Sequence, residues 1–581
     1  MIRFDRIFNQ PVGGWKLKKV FEYLKPYYFK MSIGLAIKIL GTFMDLGLPW
    51  VLAFIIDDII PLHNVNLILL WGLVMIALSI GARTFNIVAN RMASKVARDA
   101  TEALRHDLFG KILSLSGRQL NHFTIPSLEA RMTTDTYNIH NMIGMMQRIG
   151  VRAPIILTGG IVITSTLEPV LTLILVGTLP FLALVVYVVS KKGIPLYTRL
   201  QETTDRMTRV VRENITGVRV IKALSKGNYE KNRFYRINQD VVDKELSAGT
   251  LMSITNPTIN FLLNMGLTLV VVVGAYRVNI GASEPGKIVA FLSYFMIMLH
   301  AVMAITRIFI VFSKATASAM RIAEVLDTDE DLKEIDMGPV KSEYHIQFDN
   351  VTFSYAKEPC LSGISFGIRK GESLGIIGST GSGKSTLVHL LLRFYDVDSG
   401  SIRIDGVDIR SMNKQELRKK FGVAFQNDVL FAESISENIK LGREIDEEQV
   451  LKAVSDAQAI SFIDEYEEKL ERMLTIKGSN LSGGQKQRLL IARALAGNPE
   501  ILILDDSSSA LDYKTDSMLR SAIRKNHKDT TSIIIAQRIS SVMKLDKILV
   551  LEDGQMAGFG KHEELLKTCE VYREIYRSQF G

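Results

Sequence analysis

Two stretches of this 581-residue chain are built from residue types that handle phosphate. The first is Gly378-Ser379-Thr380-Gly381-Ser382-Gly383-Lys384-Ser385-Thr386, directly after the short apolar run Ser373-Leu-Gly-Ile-Ile377. Glycines let such a loop wrap closely, so successive backbone N–H groups point at phosphate oxygens. A helix starting near Lys384 adds the positive end of its dipole. Lys384 is placed to contact the outer phosphates of a nucleotide, and Ser385 to set its hydroxyl on Mg2+. The second stretch, Leu481-Ser482-Gly483-Gly484-Gln485-Lys-Gln-Arg488, is a small-residue turn opening an apolar helix. That makes it another anion-binding helix terminus.

Further residues gain meaning from these two. The run Ile501-Leu-Ile-Leu504 reads as a buried strand and ends in the carboxylates Asp505 and Asp506. Gln426 follows Phe421-Gly-Val-Ala-Phe425, and Gln537 follows Ser532-Ile-Ile-Ile-Ala536. With Ser509-Ala-Leu-Asp512 beyond, these segments resemble the nucleotide-binding domain of ATP-binding cassette (ABC) transporters. The resemblance implies ATP and Mg2+ as cofactors. It implies that Tyr355, ending the alternating stretch from His345, stacks on adenine. It also implies that Asp505 holds Mg2+ through water, with Ser385 and Gln426 as further metal ligands. Ser482, Gly483, Gly484 and Gln485 then close over the γ-phosphate held by a partner's loop, not this chain's own.

Three positions depart from the family pattern. Asp506 stands where a glutamate orients or deprotonates the attacking water, and it is shorter by one methylene. A misplacement of about 1 Å can cost roughly a hundredfold in rate. Gln537 stands where a histidine contacts the γ-phosphate; glutamine hydrogen-bonds but carries no imidazolium charge. Ile476 replaces a glutamate found before the signature in many exporters.

These groups must be positioned by two very different parts of the chain. Apolar residues make up 47% of it, but apolar stretches dominate only up to about residue 315. A membrane span needs about 20 largely apolar residues. Six are expected, near 31–56, 67–89, 141–165, 168–190, 249–275 and 288–312, the second and fourth continuing as polar helix. Lysines and arginines crowd the links after spans two and four, as Arg91, Lys95, Arg98, Lys191, Lys192 and Arg199 exemplify. The links after spans one and three carry none. The basic links and both termini are therefore expected in the cytosol. A stretch at about 13–26 alternates basic and apolar groups and suits an interfacial helix or a plain soluble one. Short outer and long inner links resemble the exporter type of ABC membrane domain. That implies coupling helices, for which Phe123–Asp135 and Ala223–Phe234 are the candidates. Asp45 and His300 within spans are expected to face the bundle interior. Several methionines, Met142, Met145, Met146, Met296, Met298 and Met303 among them, suit core packing or an adaptable apolar cavity.

The expected architecture is an all-α six-helix membrane domain over 1–325, a charged linker at 326–343 and an α/β P-loop ATPase domain over 344–581. Net charge is +9, but the basic residues sit between apolar runs, so no nucleic-acid partner is expected. Only Cys360 and Cys569 are present, far apart, which suits a reducing compartment. No cleavable signal peptide is apparent at the start of the chain. An intact signature beside a degraded Glu/His pair resembles one half of a heterodimeric exporter of lipophilic compounds in the cytoplasmic membrane. Its second half-transporter subunit is expected to carry the usual Glu and His. A homodimeric lipid or drug flippase, a non-transporting ATP-sensing subunit and an uptake system on the same fold remain as alternatives.

Overall fold

The structure, a computed structural model, describes residues 19–580. These form two compact units, one of residues up to 113 with 126–328, the other of residues 114–125 with those from 329 on. The stretch expected as an interfacial helix lies partly outside the described residues; its described part is helical from Lys19 and closes in a tight turn at Lys25–Tyr27.

In chain order the first helices are α1 (Tyr28–Phe54), α2 (Val65–Ser114), the short α3 (Gly117–Phe123) and α4 (Thr136–Leu167). Then come α5 (Pro169–Thr216), the short α6 (Val218–Ala223), α7 (Gly227–Asn279) and α8 (Pro285–Leu326). Six helical stretches are long and apolar enough to cross a membrane, in the expected number and order. At 1.5 Å per residue the 50 residues of α2 span about 75 Å, against a hydrocarbon core of about 30 Å. More than half of α2 therefore runs outside the core, matching its polar continuation. Pro169 and Pro285 open their helices, where a missing N–H costs nothing.

Several polar groups inside this unit are paired. Asp45 accepts from Arg152 at 2.8 Å and from Asn86 at 3.2 Å, and buried Lys38 donates to Asn90 at 3.0 Å. Tyr294 donates to the Leu46 carbonyl at 2.6 Å. His300 departs from expectation. It is exposed in this chain, and its Nδ1 lies 2.8 Å from the Met296 carbonyl one turn back, so it needs no partner inside the bundle. Met142 and Met298 are buried core residues, whereas Met146 and Met296 are exposed.

The stretch expected as the first coupling helix holds a short helix, Ile125–Ala130. Residues 114–125 group with the strand-bearing unit, and their helix is α3, which ends where the expected segment begins. Ser116 caps α3, accepting from Gln119 N–H while its own N–H donates to the Gln119 side chain. Ser116 Oγ donates to Asp331 at 2.7 Å, and Asn121 donates to the Tyr395 hydroxyl at 3.1 Å. A Cβ on Gly117 would lie 2.6 Å from the Tyr395 ring, so only glycine fits. In the second link the short helix is α6, and Gly227 already begins α7.

Among the described residues the second unit carries ten strands. Five are β1 (Ile346–Phe353), β2 (Leu361–Ile368), β3 (Ser373–Gly378), β4 (Ser399–Ile404) and β5 (Val407–Asp408). The others are β6 (Phe421–Ala424), β7 (Ile501–Asp505), β8 (Thr531–Ile535), β9 (Lys547–Glu552) and β10 (Gln555–Gly560). An antiparallel sheet has the order β2-β1-β4-β5, and a six-stranded sheet the order β10-β9-β3-β8-β7-β6. In the larger sheet β9, β3, β8, β7 and β6 run parallel. Residues 327–345 hold no helix or strand, and Val340 N–H donates to Gly406 at 2.9 Å.

Asp135 ties the start of α4 to α8. It is buried, accepts from Ser318 Oγ and Arg321 Nε at 2.8 Å each, and forms an ion pair with Arg321. Asp135→Ala leaves that half-exposed guanidinium and the Ser318 hydroxyl without their acceptor, a loss on the order of 1–2 kcal/mol. The variant is expected to melt at lower temperature in detergent, with Asp135→Asn intermediate; differential scanning fluorimetry checks the order.

Candidate functional site

The phosphate loop leaves β3 at Gly378 and enters a helix, α9 (Lys384–Leu391), at Lys384. Gly381 and Gly383 have φ of +87° and +97°, a region that side chains disfavour. A Cβ on Gly378 would meet the Leu551 carbonyl at 2.2 Å. The loop is thus a path that glycine takes more readily than other residues. Lys384 Nζ donates to the carbonyls of Gly378 and Ser379 at 3.0 and 2.6 Å, folding back over its own loop. Burial lowers its pKa, with Asp505 and Asp506 pulling the other way. Ser382 Oγ is buried without a hydrogen-bond partner, a donor free for an anion.

The carboxylates stand at the end of β7. Asp505 is buried and hydrogen-bonded to Ser385; burial raises its pKa, and the Ser385 bond works against that. Asp506 has φ of +46°, a conformation aspartate tolerates better than most residues. Its N–H still donates to the Ile535 carbonyl at 3.0 Å, extending the ladder one residue past β7. Its Oδ2 accepts from Gln426 Nε2 at 3.1 Å and from Gln537 Nε2 at 2.9 Å. Burial raises the Asp506 pKa, and the two amide donors oppose that. Three sequence-predicted residues thus form one hydrogen-bonded group. Ser385 with Asp505 is a hydroxyl–carboxylate pair suited to Mg2+.

Tyr355 sits beside this loop. Its hydroxyl donates to Thr386 Oγ1 at 3.4 Å and lies 3.4 Å from His389 Nδ1. Its ring, 44% exposed, meets Phe353 and Tyr395 edge to face at 4.9 and 5.2 Å. Tyr395 and His389 escaped the sequence reading, since neither lies in a recognisable string. The signal missed for α3 was the Ser116…Gln119 capping box.

The signature stands apart. Ser482 caps a helix, α10 (Gly483–Leu495), accepting from Gln485 N–H while Gln485 Oε1 accepts from Ser482 N–H at 2.9 Å. No hydrogen bond among the described residues joins Ser482, Gly483, Gly484 or Gln485 to the phosphate loop. Instead Gln487 of α10 donates to Ser509 Oγ at 3.2 Å and accepts from Ala510 N–H at 2.9 Å. Ile476 is 75% exposed, so it presents an apolar side chain to solvent in this chain.

Comparison with known proteins agrees with this arrangement. The model of the ABC transporter transmembrane region matches residues 31–302, and that of the ABC transporter matches 361–509. The uncharacterized ABC transporter ATP-binding protein YfiB of Bacillus subtilis is 36% identical over 97% of this chain and 99% of its own length. An ATP-dependent lipid A-core flippase of Methylobacillus flagellatus is 31% identical over 91% of this chain and 89% of its own. In three dimensions a bacterial Atm1-family ABC exporter with ATP bound aligns with a TM-score of 0.80. It has 24% identity and covers 96% of this chain and 99% of its own.

The burial of Asp505 makes stability depend on pH. A raised carboxyl pKa means that ionisation at neutral pH is disfavoured by the fold, so stability is lost as pH rises through that pKa. Asp505→Asn removes the buried charge. It is expected to raise the nucleotide-free melting temperature at pH 7 and to abolish the further rise that Mg2+ and ATP together induce. Melting curves with and without Mg2+-ATP check both parts.

Proposed function

This chain belongs to the ABC transporter family as an exporter-type half-transporter, and from that premise we propose a specific role. It works as one half of a heterodimeric exporter that moves lipophilic or amphipathic compounds across the cytoplasmic membrane. Its own ATP pocket holds nucleotide and turns it over slowly. Its signature completes the partner's pocket, where hydrolysis proceeds. The linker near 326–343 joins the membrane domain to the ATPase domain in sequence, and the ATPase domain faces the cytosol.

One observation carries this reading. The carboxylate at the hydrolytic position is Asp506, and both neighbouring amides, Gln426 and Gln537, donate to the same oxygen. The group is oriented and kept in place, but by neutral donors and one methylene short of the usual reach. Meanwhile Ser482 caps the signature helix with both bonds of its box made.

The residues divide the work. The loop Gly378–Thr386 wraps the phosphates with backbone N–H groups, Ser382 adds its free hydroxyl, and Lys384 releases its own carbonyls to bind phosphate oxygens. Tyr355 offers a half-exposed ring to adenine. Ser385, Asp505 and Gln426 would hold Mg2+, which when bound offsets phosphate charge. Binding that is tighter in the closed dimer supplies the bias for the transport cycle.

A homodimeric lipid flippase is the second reading, favoured by the relative from Methylobacillus flagellatus. The two separate in one experiment. This chain is purified with its co-encoded partner, whose catalytic glutamate is replaced by glutamine, so residual turnover reports the pocket of this chain. Asp506→Glu with Gln537→His is expected to raise that turnover by about a hundredfold. No rise would defeat the holding-site reading. Rapid ATP turnover by the wild-type chain without any partner would establish the homodimer.

A further inference from the structure

The ATPase unit carries a second constellation at the opposite ends of the same strands. His345 immediately precedes β1, Asp405 sits in the tight turn between β4 and β5, and Glu500 immediately precedes β7. One nitrogen of the imidazole and one oxygen of each carboxylate lie within 4.8 Å of one another. β7 has five residues, so this group lies roughly 17 Å from Asp505 and Asp506 along the strand.

What separates this from an ordinary surface cluster is the imidazole. His345 is 2% exposed, and its Nδ1 lies 2.7 Å from Thr531 Oγ1 at the start of β8. Thr531 Oγ1 also accepts from Gly371 N–H at 3.0 Å, which holds the threonine in place. His345 Nε2 is buried with no hydrogen-bond partner and faces Asp405 Oδ2 across 3.8 Å. A buried polar atom left unsatisfied costs about 1–3 kcal/mol. A cation between this nitrogen and the two carboxylates removes that cost.

We propose that His345, Asp405 and Glu500 bind a divalent transition-metal ion of the Zn2+ class, separately from the Mg2+-nucleotide pocket. One imidazole with two carboxylates is a borderline set, which favours Zn2+ over the all-oxygen preference of Mg2+ or Ca2+. Ligand bonds of about 2.1 Å put tetrahedral ligand atoms about 3.4 Å apart, so the group must close by about 1 Å. The imidazole is the fixed member, while the Asp405 and Glu500 side chains are 54% and 43% exposed and free to swing inward. The Asp405 backbone is already pinned, its N–H donating to the His345 carbonyl at 2.8 Å. Burial lowers the His345 pKa and keeps the neutral form a metal needs; Asp405 and Glu500 pull it up, Lys370 and Lys420 down. Lys420 Nζ donates to both Glu500 oxygens at 3.0 and 2.8 Å, so it competes with the ion for that carboxylate. Closure would tie the antiparallel sheet, through His345 and Asp405, to the base of the parallel sheet, through Glu500.

The full chain in detergent, stripped with EDTA and free of nucleotide, is titrated with Zn2+ against a fluorescent zinc chelator. Bound zinc is counted by mass spectrometry. Wild type is expected to hold one equivalent more than the Asp405→Asn/Glu500→Gln double variant, whose changes are at exposed side chains and leave the core intact. Thr531→Val is expected to weaken binding tenfold or more, on the order of other losses of a partner to a metal-bound histidine. Lys420→Met is expected to tighten it. Equal zinc content and affinity in wild type and the double variant would overturn the proposal. Release of the bound zinc by excess Mg2+-ATP would overturn it too, because it would place the ion in the nucleotide pocket.

Discussion

The parallel register of four neighbouring strands is the constraint from which the site follows. β3, β8, β7 and β6 lie side by side, with Ile376 beside Ile535, Ile534 beside Leu504, and Leu504 beside Ala424. Residues leaving the carboxyl ends of such strands arrive at a common edge, where open α/β sheets bind ligands. Gly378 and its loop leave β3, Gln537 follows β8, Asp505 and Asp506 end β7, and Gln426 follows β6. A slip of one residue in β7 would exchange the faces of Asp505 and Asp506. Every residue of β7 and β8 is buried, so the isoleucines and leucines lock that register. The geometry of this edge is thus held by apolar packing, not by the polar residues themselves.

The same edge connects outward. Asp506 N–H reaches Ile535, and the Asp506 carbonyl accepts from Ser509 Oγ at 3.0 Å. Ser509 is in turn held by Gln487 on the signature helix. Three turns of chain that lie far apart in sequence are therefore linked by three hydrogen bonds. On the other side Tyr355 leans on Tyr395, which accepts from Asn121 of α3. Tyr355 and Asp506 each have a short path to another element.

Much of this was readable from residues alone, for a physical reason. Membrane helices satisfy their own backbone, so six apolar runs announce themselves by length. The phosphate loop is local too, its glycines, lysine and serine being consecutive. Contacts between distant segments were not readable. Tyr395, in the string Arg393-Phe-Tyr-Asp396, becomes important only because α3 packs on it. His300 was assigned to the interior on cost alone, but an intrahelical carbonyl met its need. α3 carries a legible capping box, Ser116 with Gln119. His345 read as the first residue of a strand, and its unpartnered nitrogen exists only once β4, β7 and β8 surround it.

Asp506 is constrained by more than its length. Two amide donors on Oδ2 stabilise its ionised form against the burial that opposes it. They leave Oδ1 as the free acceptor on a side chain that cannot advance without breaking both bonds. A glutamate in the same backbone conformation would carry its carboxylate one methylene further, past the two glutamines. A histidine in place of Gln537 would bring a charge near the phosphates, whereas Gln537 spends its donor on Asp506. The substitutions are therefore coupled: the glutamine holds the short carboxylate, and the short carboxylate occupies the glutamine. Restoring one alone leaves the other misdirected, which is why only the double change can restore a hydrolytic edge.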